Sequence, residues 1–327
     1  MPQSVTVKFV DFWKDFQPDN NKFVSALRAH HDVTVLPADS PATPDILFFS
    51  RDDSMHHLDY DGCVKIYFTG ENDVPDFNEC DYAISFHHLN FGERHLRYPL
   101  YMLYQFDEAV RIPALTVGEA TGREFCSLLM RNDYNCDPRR LRIIDAVDAY
   151  RPLAYGGPFR NNTGGCVAEK IPFIRNYKFN LALENSSVEG YVTEKIVEPF
   201  AAATIPIYWG APDIAKDFNP QAFINVDDYD SMDSFIAALS HLDNDTEAYM
   251  EMLTAPRLTA DIATDFDSHL IDFLDNIIAT RRRYTTSYGE AGRYHRRSLL
   301  MRPFVNSRNF MRIAKGINKL KGKGKGR

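Results

Sequence analysis

The sequence predicts an α/β protein built on parallel sheets. In the first half, short β-rich runs alternate with helical patterns or loops, which is typical of doubly wound sheets. In the second half, the stretch Tyr177–Pro212 reads as strand, polar loop, helix and strand. Its polar residues gather where the strand passes into the helix. Because open α/β sheets bind ligands beyond the carboxyl ends of their strands, this stretch is the first candidate for a binding site.

The chain of 327 residues is long enough for two domains. We place the junction in the polar segment 107–122, which contains Pro113 and two glycines. The predicted division is an N-terminal domain over 1–118, a second domain over 119–283 and a basic tail over 284–327.

Five β-rich runs and one helical pattern make up the predicted first domain. The helical pattern covers Lys22–His30. The β-rich runs are Val5–Val10, Val33–Leu36, Ile46–Phe49, Val64–Thr69 and Tyr82–Phe86. No Gly-x-Gly-x-x-Gly motif follows the first run, so a dinucleotide-binding fingerprint is not predicted.

The predicted second domain opens with a strand over Arg123–Arg131, and Asp137-Pro138 then starts a helix to about Tyr150. A glycine-rich loop, 155–165, exposes Arg160. The remaining predicted elements are strands at Phe179–Leu183, Ile205–Trp209 and Phe223–Val226, a helix that begins at Glu194, a helix capped by Ser231 that runs to about Leu242, and helices over 246–254 and 266–283.

Charge is unevenly distributed along the chain. Residues 281–327 contain 15 Lys and Arg residues and a single acidic residue, Glu290, whereas the rest of the chain has 22 basic and 44 acidic residues.

The sequence of the basic tail predicts an amphipathic helix that lies on an anionic membrane surface, since four apolar residues recur at helical spacing opposite basic ones. These are Phe310, Ile313, Ile317 and Leu320. A solvated, disordered tail is the alternative. Nucleic-acid binding is not predicted, because no aromatic stacking platform accompanies the charge.

Five cysteines occur at scattered positions without Cys-x-x-Cys spacing, which predicts neither a disulfide framework nor a zinc site. A reducing compartment fits these cysteines best.

The first ten residues, MPQSVTVKFV, lack the basic and apolar regions of a leader peptide. No apolar run approaches the 18 residues of a membrane-spanning helix, so none is predicted.

No catalytic metal is predicted. Three Asp-x-Asp sequences begin at Asp228, Asp243 and Asp265, but they resemble turns or helix caps. The paired histidines at 30–31, 56–57 and 87–88 lack the spacing of a zinc site.

Glu71 is the first candidate for chemistry. It follows an apolar run and a glycine turn in the sequence KIYFTGEND, and we expect it to face the crevice between the two sheets. A carboxylate in that position can act as a general base on a substrate hydroxyl. The alternative is an ordinary turn residue.

Arg160 and Lys195 are candidate ligands of a diphosphate, because two cations that converge on a helix N-terminus form an anion-binding site. Each of them alone would more often be a surface cation. Thr193 is the expected N-cap of the helix that begins at Glu194. Pro199 removes one backbone hydrogen bond from that helix, which should therefore be short or bent.

Three further polar residues belong to the same stretch, namely Asn185, Tyr191 and Glu194. Beside a bound nucleotide, Glu194 can accept hydrogen bonds from both ribose hydroxyls, and Tyr191 can stack on a base or donate to a phosphate. A simple interaction with the helix dipole is the alternative for Glu194.

The stretch YKFNLALENSSVEGYVTEKIVEPFAAATIPIYWGAPDIAKDFNP resembles the signature of the α-1,3/1,4-fucosyltransferases, glycosyltransferase family 10. The sequences IYFTGEN, DYAISF, YPLYM and FCSLL and the Arg160 loop add to the likeness, which covers most of residues 60–230. The bacterial members without a membrane span look most similar. The resemblance implies a GT-B fold, in which two Rossmann-like domains face each other across a cleft.

The resemblance also implies an inverting transfer of fucose from GDP-β-L-fucose, which the C-terminal domain binds. Glu71 matches the general base in the family's TGEN motif, and Arg160 and Lys195 match the cations that meet the diphosphate. The residues that match those holding the nucleotide and the fucose are Asn185, Tyr191 and Glu194. Because two fixed cations can stabilise the departing GDP, no metal or other cofactor is expected to be required.

The implied acceptor is an oligosaccharide of the N-acetyllactosamine or lactose type. Fucosylation of the 3-hydroxyl of its GlcNAc or glucose makes Lewis-type surface glycans, whereas a type 1 chain would react at the 4-hydroxyl. The alternatives are a transferase of the same fold with another nucleotide sugar or acceptor and a sugar-binding protein without activity. The resemblance further implies a cytoplasmic protein, peripheral on the cytoplasmic face of the inner membrane.

Two departures from relatives limit what is carried over. The segment SFHHLNFGERH is less acidic than its counterparts, so acceptor preference is not transferred. The leucine-containing heptads of some bacterial relatives are missing, and their mode of dimerisation is not transferred either.

Overall fold

The computed structural model describes residues 2–51, 55–104, 106–134, 137–259, 265–284, 299–301 and 303–304. The amphipathic helix predicted around Phe310–Leu320 lies outside these residues. The chain divides into two compact units, which we call the first unit (Met1–Tyr98 with Thr264–Arg327) and the second unit (Pro99–Ala263).

A six-stranded parallel sheet forms the first unit. Its elements are β1 (Ser4–Val10), α1 (Lys22–Arg28), β2 (Asp32–Val35), β3 (Ile46–Phe49), β4 (Val64–Phe68), β5 (Tyr82–Ser85) and β6 (His95–Arg97). The strand order is β2-β1-β3-β4-β5-β6. The five predicted β-rich runs correspond to β1–β5, with bounds that differ by at most one residue. The sequence of β6, HLR, contains a single apolar residue and gives no strand pattern.

Burial explains why the central strands of this sheet read as continuous apolar runs. Every residue of β3 and β4 is buried, as expected for strands that are covered on both faces. Helix α1 begins after Asn21, whose side-chain oxygen accepts a hydrogen bond of 3.0 Å from the backbone of Val24. It ends at Arg28, two residues before the predicted end.

The second unit has a five-stranded parallel sheet of order β11-β10-β9-β7-β8. Its strands are β7 (Glu124–Leu128), β8 (Ala154–Tyr155), β9 (Tyr177–Leu183), β10 (Ile205–Trp209) and β11 (Ile224–Asn225). Its helices are α2 (Phe106–Ala109), α3 (Val117–Thr121), α4 (Arg139–Tyr150), α5 (Lys170–Ile174), α6 (Glu194–Ala201), α7 (Met232–Asn244) and α8 (Thr246–Thr254). Helix α6 has eight residues and contains Pro199, in agreement with the expected short helix.

The division into units differs from the predicted boundaries at 118 and 283. The segment after residue 98 packs with the second unit, where the rings of Tyr101 and Phe218 lie 5.1 Å apart. The last helix, α9 (Phe266–Thr280), returns to the first unit and packs against α1, with Lys22 Nζ 2.8 Å from Asp267. Local composition does not reveal such a return, because it depends on contacts between residues more than 200 positions apart.

Candidate functional site

Glu184 follows β9 at the carboxyl edge of the second unit's sheet. The order of this sheet reverses at β7, because β8 and β9 pair with opposite edges of that strand. Open α/β sheets bind ligands at such a reversal, beyond the strand ends. Glu184 has no exposed surface, and its backbone N–H donates to the carbonyl of Trp209 at 2.8 Å. The sheet therefore fixes the backbone of Glu184 at the end of β9, the strand beside the one at which the order reverses.

The Glu184 carboxylate joins the end of β9 to the start of α6. It accepts hydrogen bonds from the backbone N–H of Thr193 (2.7 Å), from the Thr193 hydroxyl (2.8 and 2.9 Å) and from Lys195 Nζ (3.0 Å). Thr193 occupies the predicted N-cap position, but its side chain makes no cap hydrogen bond. Its hydroxyl accepts from Lys195 Nζ at 2.9 Å instead, since a charged donor forms a stronger bond than a backbone N–H.

The carboxylates around Lys195 hold it as a cation. Burial lowers the pKa of Lys195, but Glu184 at 3.0 Å and Glu194 at 3.6 Å outweigh this effect and raise the pKa above its ordinary value. Burial raises the pKa of Glu184. Burial also opposes ionisation of Glu194, yet the charge of Lys195 lowers the pKa of Glu194 below its usual range. Because 24% of the Lys195 side chain is exposed, its charge can reach a ligand at the N-terminus of α6.

Asn185 links the two loops on either side of the reversal point. Its side-chain oxygen accepts from Arg140 Nη1 at 2.9 Å, and its backbone carbonyl accepts from the N–H of Asp137 at 2.9 Å. Arg140 lies in the first turn of α4 and is 5% exposed, and within the described residues its Nε has no hydrogen-bond partner. A buried guanidinium with an unused donor at a ligand-binding edge can bind an anion.

Sequence reasoning did not single out Arg140, although part of the signal, a strand followed by a helix start, is visible in the sequence. The predicted helix start at Asp137-Pro138 places Arg140 directly after a strand of the sheet, as Lys195 is placed after β9.

Arg160 lies in the loop that follows β8, the edge strand of the sheet. Its guanidinium forms an ion pair of 2.6 Å with Asp145 and lies over the ring of Phe159. The hydrogen bond to Asp145 raises the pKa of Arg160. Its backbone is left-handed, with φ of 50°. The structure thus places Arg160 in the predicted loop but pairs it with Asp145 rather than with the group around Lys195.

Tyr191 lies in the turn that leads into α6. Its side chain is 1% exposed, so the ring has little surface to offer a nucleotide base. The turn depends on Gly190, which has φ of +74° and donates its N–H to Asp213 at 2.7 Å. Tyr191 therefore contributes to the shape of the turn that carries Glu194 and Lys195.

Glu71 belongs to the first unit and follows β4 in a bend. Its backbone N–H donates to the Thr69 hydroxyl at 3.1 Å, and its carbonyl accepts from the N–H of Asp73 at 2.8 Å. Asp73 in turn accepts from the hydroxyl of Tyr67 at 2.8 Å. The side chain of Glu71 is exposed. The bend is thus anchored to the strand while the carboxylate can reach a substrate, as a general base must.

A buried group of ionisable side chains lies behind this bend, and no sequence pattern predicts it. His57 has no exposed surface and lies 2.7 Å from Asp11 and 3.5 Å from Glu79. Glu79 also pairs with Arg51 at 2.6 Å, and Arg51 lies 3.4 Å from Asp73. Burial raises the pKa of Glu79, but the hydrogen bond from His57 and the charge of Arg51 prevail and lower it to about 2.

The Asp-x-Asp sequences that begin at Asp243 and Asp265 form ion pairs or helix caps. Asp243 pairs with Arg151 at 2.6 Å and with Lys178 at 2.8 Å. Asp245 is the N-cap of α8, and Asp265 is the N-cap of α9. Among the described residues, no group of three or more His, Cys, Asp or Glu side chains could hold a metal ion.

In the part of the chain that the structure describes, no helix combines the length and the apolar character needed to cross a membrane.

Comparisons with known proteins give a consistent result. Residues 7–104 match the model of the alpha-(1,3)-fucosyltransferase FucT N-terminal domain, and residues 124–260 match that of the glycosyltransferase family 10 (fucosyltransferase) C-terminal region. The alpha-(1,3)-fucosyltransferase FucT of Helicobacter pylori is 36% identical in an alignment 229 positions long, and the match covers 60% of this chain and 48% of that protein. An alpha-(1,4)-fucosyltransferase of Arabidopsis thaliana is 32% identical in an alignment 136 positions long, and the match covers 36% of this chain and 34% of that protein. This chain therefore spans about half, or less, of the length of these relatives.

A crystal structure of an alpha1,3-fucosyltransferase with GDP-fucose superposes with a TM-score of 0.74 at 29% sequence identity, and the match covers 88% of this chain and 94% of that chain. This likeness and the two parallel sheets confirm the predicted α/β fold of the GT-B type. Since the two family models together match more than two thirds of its residues, the chain belongs to glycosyltransferase family 10, the fucosyltransferases.

Proposed function

We propose that the protein is an α-1,3-fucosyltransferase that uses GDP-β-L-fucose as its donor. The observation that carries this proposal is the ammonium of Lys195, which Glu184 and Thr193 fix at the N-terminus of α6. The name of the Helicobacter pylori relative and the GDP-fucose in the similar crystal structure support the reaction and the donor.

The diphosphate of the donor suits the reversal point of the second unit's sheet. Lys195 and Arg140 belong to the helices that follow β9 and β7, the two strands that meet there. Cations that are fixed before the donor arrives stabilise the charge of the departing GDP without reorganisation. Glu194, in the first turn of α6, is proposed to accept hydrogen bonds from donor hydroxyls. Arg160 is expected to contribute less, because Asp145 already neutralises it.

The proposed reaction is a single displacement that inverts the anomeric carbon. The acceptor hydroxyl forms a bond to C1 of fucose while the bond between C1 and the diphosphate oxygen breaks, and the electron pair leaves on GDP. Glu71 takes the proton of the hydroxyl as general base. We propose the 3-hydroxyl of GlcNAc or glucose, in acceptors of the N-acetyllactosamine or lactose type, as the nucleophile.

A transfer assay with the purified full chain tests this function. GDP-fucose is offered with lactose, N-acetyllactosamine and a type 1 disaccharide, and NMR identifies the linkage of each product. We expect α-1,3-fucosylated N-acetyllactosamine, and we expect GDP-mannose and UDP-galactose to be inactive as donors. Transfer from either of these sugars, or no transfer from GDP-fucose to any of the three acceptors, contradicts the proposal.

We also propose that the protein acts at the cytoplasmic face of the inner membrane, held there by its basic tail. The support is the sequence of the tail, in which basic residues accompany apolar residues at helical spacing. Removal of residues 298–327 should reduce pelleting with anionic vesicles and leave transfer to a soluble acceptor intact. Pelleting that is unchanged by the deletion, or unaffected by salt in the full chain, contradicts this proposal.

A further inference from the structure

A cavity of about 380 Å³ lies at the carboxyl end of β1 in the first unit. The order of the first unit's sheet reverses at this strand, since β2 and β3 pair with its opposite edges. The cavity therefore occupies a position at which open α/β sheets bind ligands. Its lining includes Asp11, Trp13, Phe16, His56, Asp59 and Tyr60. None of the residues assigned to the donor belongs to this lining.

One wall of the cavity is a packed group of aromatic side chains. The rings of Phe12 and Phe16 stack at 4.2 Å, and Trp13 meets Phe16 nearly edge-on at 5.1 Å. These contacts hold the indole in place before any ligand binds. A fixed aromatic face binds the apolar C–H face of a sugar ring at a low cost in conformational entropy.

Another part of the lining carries polar groups on a segment that Asp11 holds. The two carboxylate oxygens of Asp11 accept hydrogen bonds from the backbone N–H groups of His56 (2.8 Å) and His57 (2.9 Å). This places the side chains of His56 and Asp59, both about half exposed, at the rim. An apolar wall with a few convergent polar groups is typical of ligand pockets and matches a sugar, which has apolar faces and a hydroxyl-rich edge.

The aromatic wall also contacts β4, the strand that precedes the candidate base Glu71. The ring centroids of Trp13 and Phe68 are 6.4 Å apart, and Phe68 is the last residue of β4, three positions before Glu71. Only β3 separates β1 from β4 in the sheet. The ends of β1 and β4 are therefore roughly 10 Å apart, which is two strand spacings of about 4.8 Å. This distance is comparable with the length of a disaccharide.

We infer that this cavity binds the acceptor, and that it holds the sugar ring next to the one that is fucosylated. In N-acetyllactosamine that ring is galactose, and its apolar face would stack on Trp13 while its hydroxyls meet Asp59 and His56. The inference rests on the proposed function, because it takes Glu71 as the base at the reacting ring.

Saturation-transfer NMR and kinetics with N-acetyllactosamine test the inference. In the wild type, saturation of the protein should reach the galactose protons, and the Trp13→Ala variant should weaken these signals relative to those of GlcNAc. The same variant should raise the KM for N-acetyllactosamine about tenfold and leave the KM for GDP-fucose within twofold of the wild type. Trp13→Phe, which keeps an aromatic face, should recover most of the affinity.

Phe273→Ala is the matched control, because Phe273 packs on Tyr82 at the opposite, amino end of the same sheet. It should leave both KM values unchanged. Asp59→Ala changes an exposed rim residue, so it provides a second variant if Trp13→Ala does not fold, and it should also raise the acceptor KM. An unchanged acceptor KM in every cavity variant that folds, or equal loss of galactose and GlcNAc signals, overturns the inference. If the wild type transfers no fucose, the proposed function fails, whereas the galactose signals still report whether the cavity binds the disaccharide.

Discussion

Glu184 and Lys195 form an ion pair of 3.0 Å that ties the end of β9 to the first turn of α6. Glu184 has no exposed surface, so water cannot replace the ammonium as its partner. Lys195 retains some exposure, so one end of the pair belongs to the protein interior and the other is accessible at the proposed donor site. We conclude that the carboxylate fixes the direction in which the cation points, which is how a site is prepared for an anion before binding.

Glu184→Gln should damage donor use more than it damages the fold. The amide keeps the shape of the carboxylate but loses the charge that holds Lys195, so the ammonium can turn towards solvent. We expect kcat/KM for GDP-fucose to fall about 100-fold, which corresponds to about 2.7 kcal/mol of transition-state stabilisation. Steady-state kinetics with varied donor concentration measures this loss.

Arg28→Gln is the control for Glu184→Gln, because it breaks an exposed ion pair of the first unit, 3.6 Å long between Arg28 and Asp19. Surface pairs contribute little, so its kinetics should match those of the wild type. A Glu184→Gln enzyme with the wild-type donor kcat/KM would show that Lys195 does not need its partner.

Gly210→Ala should displace the carboxylate of Glu184 by steric contact. A Cβ atom at this position would lie 2.5 Å from Cγ of Glu184 and 2.6 Å from the hydroxyl oxygen of Tyr208, so Glu184 must move. We expect a loss of donor kcat/KM similar to that of Glu184→Gln and a lower thermal midpoint. Gly118→Ala is the matched control, since a Cβ there meets no atom of the described residues within 4 Å and alanine favours a helix. Equal kinetics of the two alanine variants would contradict the proposed role of Glu184.

Arg140 and Arg160 give a direct comparison of two candidate cations. Arg140 is buried beside Asn185 with an unused Nε, whereas Arg160 pairs with Asp145 after the edge strand. We therefore expect Arg140→Met to raise the KM for GDP-fucose at least tenfold and Arg160→Met to change it less than threefold. Titration calorimetry with GDP checks both variants without catalysis. The reverse order of effects would favour the original assignment of Arg160 to the diphosphate.

The sequence predicted the strands well because their signal is local. Runs such as Val64–Thr69 and Ile205–Trp209 are apolar since both faces of a parallel strand are buried. The cluster of polar residues beyond β9 was also predictable, because a β-α-β unit places its polar residues at one edge. The candidate Arg140 is not predicted, although the sequence predicts both the strand before it and the start of its helix. A strand order is needed to see that the end of β7 lies beside that of β9, and one sequence does not supply it.

The charge pairs of the first unit could not be predicted for a related reason. Asp11, His57 and Glu79 lie on three separate segments of the chain, and only the folded sheet brings them together. The same limit applies to Thr193. Its place as N-cap is a local property, whereas the use of its hydroxyl between Glu184 and Lys195 depends on a carboxylate from the preceding strand.

The Glu79 carboxylate should make stability depend on pH in acid. Its pKa is about 2 in the folded protein against 4.5 in the unfolded chain, so its contribution is present above pH 4.5 and is lost as the pH falls towards 2. The difference corresponds to about 3 kcal/mol. Urea unfolding at pH 7 and pH 3 should show that Glu79→Gln removes much of the acid sensitivity of the wild type. The exposed change Asp15→Asn is the control and should preserve that sensitivity. An unaltered pH dependence in Glu79→Gln would contradict this assignment.

Glu71→Gln should abolish transfer while donor binding remains. The amide has no basic lone pair for the acceptor proton, and loss of a general base typically costs between about 10² and 10⁴ in rate. The backbone contacts to Thr69 and Asp73 hold the bend and do not involve the carboxylate, so the fold should persist. We expect kcat to fall in this range with an unchanged Kd for GDP. Asp61→Asn is the matched control, because it alters an exposed carboxylate just before β4, at the other end of the same strand, and it should keep full activity. If Glu71→Gln retains more than about a tenth of the wild-type kcat, another group must accept the proton, and the exposed position of Glu71 after β4 would then need a different explanation.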